Sequence, residues 1–466
     1  MLIDRMSRSA IRAVLVLAGA LAGARAEAGV GVWTTGWPAS AGEGAPAGMV
    51  TDPQTPGVLY AGSGRGVFKS SDNGATWVLA GLGGLSTRPL AVAPPATVYV
   101  NGTAGNGVST LYSSTDGGDH WSAMGAGVSD LVVAPFSPTT LYRADDTQRG
   151  GRLSRSTDAG ATWIEIDSGL DLQLRPISKI AADPNASGTL YVSGLNAAAR
   201  IPSGFLWKTV DSGSSWTLLS SALGPVPAIA VDPTTSSIVY TASLFTVYTG
   251  APGGVSKSVD GGTTFAQSGA GLANMSAIGL CIDPRRPNRL YVVLDSQGVF
   301  ASGDAGATWH AMNAGLPAVN GGVISSGALA IDPSGTHLHV ATNLGVFDYE
   351  VDPGALALNP AHPFTVTLSA INPHTGLAAP GVATQVNDLW GYFSIPAITN
   401  NPNNPEVFVK LLDGTALNGR YWFFYGGLTD LEYTLTVKDD TTGQQKTYTK
   451  PAGSECGGSD TAAFTP

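Results

Sequence analysis

Asp145, Asp146, Glu165, Asp167 and Asp295 are acidic residues that stand outside the recurring motifs of this chain. Two carboxyl groups held roughly 5–9.5 Å apart across a glycosidic bond can cleave it, one as acid and one as base or nucleophile. Any pair of these five is a candidate for that chemistry. His337 and His339 are two residues apart, so on a strand both imidazoles fall on one face. They could ligate a metal, but no third ligand is evident nearby, and a packing role is favoured. Cys281 lies in the apolar run 279–282 and reads as a buried free thiol; a bridge to Cys456, the other of the two cysteines, is the alternative. Two cysteines make no zinc site of the Cys-rich kind. No phosphate-cradling loop and no Ser-His-Asp context appears. Neither a metal nor a cofactor is expected.

The elements that must position such residues follow from composition. Only 12% of the 466 residues are charged and 43% are hydrophobic, which excludes a charge-driven disordered chain. The formal charge of −10 lacks the basic footprint of a nucleic-acid binder. Abundant turn formers, 61 Gly and 30 Pro, among apolar residues predict many short strands. At the amino terminus, Arg5, Arg8 and Arg12 precede an apolar run over 13–24 and the small-x-small site Ala24-Arg25-Ala26. This pattern predicts a signal peptide, residues 1–26, and a secreted or periplasmic product. The apolar run is too short to cross a bilayer core of ~30 Å, and no membrane span is expected.

An internal repeat organises most of the remainder. An apolar–x–apolar–Asp/Ala–Pro pattern recurs at Pro53, Pro94, Pro135, Pro184, Pro233, Pro284 and Pro333. A Leu/Val-Tyr pair follows each, from Leu59-Tyr60 to Leu290-Tyr291, with Leu338-His339 in the last unit. Six units then carry Ser/Thr-x-Asp-x-Gly-x-x-aromatic. The acidic and aromatic members are Asp72 and Trp77, Asp116 and Trp121, Asp158 and Trp163, Asp211 and Trp216, Asp260 and Phe265, Asp304 and Trp309. This motif resembles the Asp-box, or sialidase-type BNR, repeat over residues ~30–352. The resemblance implies an all-β, seven-bladed propeller over 27–352. Its boxes are expected to be structural: Asp accepts from turn N–H groups, Gly takes a backbone angle other residues resist, and the aromatic packs between sheets. The seventh unit lacks a box and a fourth strand, and the segment 30–37 resembles one. The expectation is that the amino-terminal strand completes the last blade and leaves no open edge.

Successive antiparallel strands reverse direction, so the Pro turns and the boxes share one face. The opposite face carries the irregular loops, which usually hold function. The longest are 143–152, 196–203 with Arg200, and 244–249. The expected binding surface there comprises Asp145, Asp146, Arg149, Arg200, Phe245, Tyr248 and Asp295, with Phe245 and Tyr248 as aromatic platforms. Arg65, Arg88 and Arg175 lie on the same face.

Sialidases share the box, and Arg200-Ile201-Pro202 matches their Arg-Ile-Pro string. It stands just before a box rather than upstream of the first, and their other two arginines and Tyr–Glu pair find no match. Xyloglucanases also resemble this repeat, but they clamp substrate between two rings, and one ring lacks the second wall. Photosystem II assembly-factor-like and sortilin-like propellers are similar and bind polypeptides. The expectation is a monomeric, non-catalytic protein that binds a glycan or protein ligand, with no catalytic residues; the alternative is a glycoside hydrolase, sialidase-like or xyloglucanase-like.

Beyond the repeats, residues 353–363 read as a linker and 364–466 as a small β-sandwich. The stretches 404–414 and 418–426 resemble a carboxy-terminal module of assorted secreted bacterial proteins. The aromatic run Tyr421-Trp422-Phe423-Phe424-Tyr425 predicts a strand buried on both sides.

Overall fold

The computed structural model describes residues 33–38 and 45–465, apart from 148–149, 171–176, 196–203, 246–252, 270–271, 273, 314, 318–323, 352–353, 360–361, 363, 388, 402–403, 440 and 455–456. The described chain is nearly all β. Six four-stranded antiparallel sheets follow one another from Gly48 to Ala311, and a three-stranded sheet spans Ile324 to Glu350. The first strand of each sheet packs against the first strand of the next, and that of the seventh lies against that of the first. Each Pro turn joins the first two strands of its sheet, and each Ser-x-Asp-x-Gly turn joins the last two. In the first sheet the strand Gly66–Ser70 ends on the motif serine, and Val78–Gly81 begins just past Trp77.

Hydrogen bonds show why that turn needs those residues. In the third sheet Ser156 Oγ donates to Asp158 Oδ1 at 2.7 Å and accepts the Gly160 N–H at 2.8 Å. Thr162 donates to Asp158 through its hydroxyl at 2.6 Å and its N–H at 2.8 Å. Ala159 and Gly160 both hold positive φ, 57° and 91°, so the glycine is required by the backbone. The Thr162 hydroxyl and N–H, then Ser156, hold the Asp158 carboxyl down at about 2. The same bonds recur at Asp211 and Asp260. All four residues of the network belong to one turn, so Asp158→Ala should lower the melting temperature and leave ligand affinity and turnover unchanged. Calorimetry beside a binding assay checks this; a variant of wild-type stability with lost binding would place the turn in a site instead.

The Leu/Val-Tyr pair has a second use. Tyr60 Oη donates to the Gly117 carbonyl in the second sheet at 2.9 Å, and Lys69, its cross-strand partner, donates to the same oxygen at 2.9 Å. Tyr191 with Lys208 grips Gly261 in this way, and Tyr240 with Lys257 grips Ala305. These three seams, from the first, fourth and fifth sheets to the next, are therefore sealed by an apolar cluster and a tyrosine–lysine clasp on the next turn's carbonyl, whereas Tyr99, Tyr142 and Tyr291 stand opposite Ser113, Arg155 and Ala301. The seventh sheet departs from this: His339 stands in the tyrosine position, opposite Asp348 in the lysine position.

The amino-terminal segment meets that sheet. Thr34 and Asp348 exchange backbone hydrogen bonds at 2.9 and 2.8 Å, and Thr35 Oγ1 donates to the Val346 carbonyl at 2.6 Å. Trp33 is buried in the cluster of the sixth and seventh sheets, and Trp37 in that of the seventh and first. Gly345, at φ 138°, lets Trp37 in; a Cβ there would lie 2.8 Å from the tryptophan Cβ. Asp348 faces both imidazoles: His337 Nδ1 lies 3.1 Å from Oδ2, His339 Nδ1 lies 3.0 Å from Oδ1, and the two rings stack. Packing with a carboxylate thus accounts for the His-x-His pair, and among the described residues no cluster could hold a metal.

Burial works to lower the His337 pKa, but the Asp348 hydrogen bond and the charges of Asp348, Asp332 and Glu350 outweigh it and raise it. Burial works to raise Asp348, but the two imidazoles outweigh it and hold it below the usual range. A raised imidazole stabilises the fold fully below its unfolded value of about 6.5 and loses this as pH climbs through its folded value. A depressed carboxyl stabilises above about 4 and loses this as pH falls through its folded value. The pair should therefore contribute most between about pH 4 and 6.5. The melting-temperature gap between wild type and His337→Ala is expected to be widest there and to narrow by pH 9; a gap independent of pH would exclude the ion pair.

Two five-stranded sheets follow, sharing one core that includes Phe364, Phe393, Val409, Phe423 and Leu435. The expected linker differs from the structure: Ala355–Leu358 pairs with Phe364–Ile371 as an edge strand, because Leu356 and Leu358 are apolar at alternate positions and reach that core. The aromatic run also differs. Tyr421 and Phe423 point inward and are buried, whereas Trp422 and Phe424 are half-exposed on the other face. Cys281 is a free cysteine, its thiol pushed up by burial; Cys456 lies outside the described residues.

Candidate functional site

The expected loop 143–152 is largely a strand hairpin. Ser137–Thr147 pairs with Gly150–Ser156 out to Thr147 opposite Gly150. The ladder extends because Asp145 stands directly opposite Arg152, and opposite charges across a pair favour the strand. Period-two alternation then sorts the hairpin. Tyr142 and Ala144 face the fourth sheet with Ile177 and Ile180. Leu141, Arg143 and Asp145 take the other side, where Leu141 packs with Tyr99 and Leu111 of the second sheet.

On that side the third sheet gathers a charged cluster. Arg143 Nε lies 3.3 Å from Asp145 Oδ1, an ion pair without hydrogen-bond geometry, while its guanidinium sits 4.2 Å over the Trp163 ring. Arg152 Nη1 donates to Glu165 Oε2 at 2.6 Å and lies 3.9 Å from Asp167 Oδ2. Asp145 is about a quarter exposed and Glu165 about 62% exposed. Burial pushes the Asp145 carboxyl up, the Arg143 charge pulls it back in part, and Glu165 adds to the rise. The cluster thus holds a carboxyl biased toward its protonated form beside two carboxylates tied to one arginine. A carboxyl raised by burial beside other carboxyls is an arrangement that acid–base chemistry can use.

The other expected site residues scatter. Asp146 lies in the strand, its side chain outside the described residues, as are Arg149, Arg200, Tyr248 and Arg175. Phe245 is half-buried rather than an open platform, its N–H donating to Ser276 Oγ at 3.2 Å. Asp295 is exposed in the turn between the middle strands of the sixth sheet, its N–H on the Ser276 carbonyl at 2.8 Å. Arg88 is committed to structure: Nη2 donates to the Ser129 carbonyl at 2.6 Å. Among the described residues no hydrogen bond or ion pair joins Asp145 to Phe245 or Asp295. The partners that sequence reading passed over are Arg143, Arg152 and the stacked Trp163. Alternation of Arg143, Asp145 and Arg152 about a short turn was the signal available.

No protein-family profile matches the chain. Two curated proteins are similar in sequence: a xyloglucanase of Hypocrea jecorina (strain QM6a), 30% identical over 158 residues or 32% of this chain, and a xyloglucanase of Paenibacillus sp., 30% identical over 176 residues or 37% of it. The matches span 18% and 15% of those relatives' lengths. Among solved structures, YCF48 from Cyanidioschyzon merolae aligns with a TM-score of 0.50 at 14% identity, covering 69% of this chain and 98% of that one. The GH74 xyloglucanase from Xanthomonas campestris aligns with a TM-score of 0.51 at 15% identity, covering 90% and 80%. At such identities the structural likeness establishes a propeller-type fold. The expectation of a non-catalytic binding protein is corrected here: both sequence relatives are xyloglucanases, which favours the alternative reading over it.

Proposed function

We propose that this protein is a secreted glycoside hydrolase directed at xyloglucan or a related β-glucan. In this reading Asp145 is the proton donor, and Glu165 or Asp167 is the paired carboxylate. The observation that carries it is the charged face of the third sheet, where burial raises one carboxyl beside two others held by Arg152. The xyloglucanase relatives supply the substrate class. The finer architecture belongs to the same proposal: seven blades, six of them carrying an Asp-box, residues 27–352, closed by the amino-terminal strand through Thr34 and Asp348, with a signal peptide over 1–26 removed on export. The Asp145 cluster, which reaches from the hairpin to Trp163 and Glu165, is where the substrate would be taken. The test is reducing-end release from xyloglucan, mixed-linkage β-glucan and a sialoside by the exported protein. Release from a β-glucan is the expected result, and no release from any of them would overturn the reading.

A further inference from the structure

The carboxy-terminal sandwich carries a face that its own core leaves uncovered. Along Trp390–Ser394, Val407–Gly414 and Arg420–Gly427, alternation sends Phe393, Val407, Val409, Leu411, Tyr421 and Phe423 into the core. It sends Trp390, Tyr392, Phe408, Lys410, Trp422 and Phe424 outward, and none of these six belongs to that core. The five rings are half-exposed and Lys410 is exposed. The register lays them in rows. Trp390 stands opposite Lys410, which stands opposite Phe424; Tyr392 stands opposite Phe408, which stands opposite Gly426 and leaves a bare step beside the ring. Ring centroids are 6.5 Å apart for Trp390 and Phe408 and 5.8 Å for Tyr392 and Phe408. Trp422 is held in place by its Nε1–H on Asn418 Oδ1 at 2.9 Å.

The solvent face of an antiparallel sheet is ordinarily polar. A contiguous aromatic patch there marks an interaction surface. We propose that this face binds a neutral β-glucan chain, with sugar rings stacked on the aromatic rows. Charge selects that occupant. The chain carries a net −10, which disfavours a polyanion. Lys410 stands among the rings, and a purely apolar partner surface would strand its ammonium without a partner, at a desolvation cost. A hydrated sugar offers hydroxyl oxygens to that ammonium while its apolar ring face meets the aromatics. The ligand class rests on the proposed function above, but the binding does not require turnover.

The test is affinity electrophoresis of the full chain carrying Asp145→Asn, in gels with and without xyloglucan, beside sedimentation of the free protein. Retardation by the polysaccharide is expected. Trp390→Ala and, separately, Tyr392→Ser are expected to weaken it at least 10-fold at unchanged melting temperature, with turnover of short soluble oligosaccharides by the corresponding single variants unaltered. If Trp390→Ala does not fold, Tyr392→Ser decides the matter. No retardation in xyloglucan, or retardation unaffected by the folded variant, would overturn the proposal. So would a dimer that Tyr392→Ser disperses, which would give the face to a second copy. Retardation without turnover in the wild-type chain would remove the hydrolase reading and leave this one standing; turnover without retardation would do the reverse.

Discussion

Asp145→Asn is expected to lower turnover of xyloglucan by roughly 10²–10⁴-fold, the usual contribution of a positioned acid or base. The amide keeps the shape of the carboxyl but carries no transferable proton. Its neighbours also lose little. Arg143 retains its stack on Trp163, and Arg152 retains Glu165. The melting temperature should therefore hold while kcat falls. The pH profile gives a second readout. A carboxyl raised by burial stays protonated to higher pH than usual, so the alkaline limb of a wild-type profile is expected to follow its deprotonation. Arg143→Lys should shift that limb, because the compact ammonium cannot lie flat over the indole and its charge moves relative to Asp145. Steady-state kinetics on xyloglucan measures both. A variant at position 145 with wild-type kcat would leave the cluster as a structural ion network.

Trp37→Ala is expected to destabilise the protein by about 3–5 kcal/mol, the usual cost of emptying a large aromatic site. Trp37 is buried at 6% exposure. Its ring lies 5.2 Å from Phe68 and 5.2 Å from Trp77, both in the first sheet, and its cluster includes Ala341 and Val346 of the seventh. One side chain near the chain's start thus bridges its first and last repeats. Loss of it should open that seam before the others, because the remaining seams keep their own apolar clusters. Urea unfolding gives the stability change, and hydrogen exchange locates it. Faster exchange at the strands Gly48–Thr51 and Gly345–Glu350 than at Leu190–Leu195 is the expected pattern. Uniform acceleration, or a change below 1 kcal/mol, would argue that the amino-terminal segment is a passive strap.

The turns were legible from residue types alone, because every atom in Ser156, Asp158, Gly160 and Thr162 that makes the network lies within seven consecutive residues. The strands around them follow from the same spacing, which is why the chain reads as repeated four-stranded units without any coordinates. The clasps were not legible. A Leu-Tyr pair announces a buried tyrosine, but that Tyr60 and Lys69 meet on Gly117 depends on how one sheet is set against the next. The hairpin at Asp145 was misread as a loop for a related reason. Polar residues in sequence suggest a loop, whereas here Asp145 and Arg152 stand opposite each other in the ladder, each with an ion-pair partner on its own sheet, and the strands continue.

Sequence by itself therefore determined the repeating turn chemistry, the strand-rich class and the change of character after residue 352, since each rests on contacts between near neighbours in the chain. Tertiary structure decided three things. It showed which carboxyl is buried beside an arginine, that Leu356 and Leu358 belong to the second body rather than to a tether, and which side of the Trp422–Phe424 strand is left bare. Burial is set by what a neighbouring sheet covers, and that neighbour arrives from dozens or hundreds of residues away.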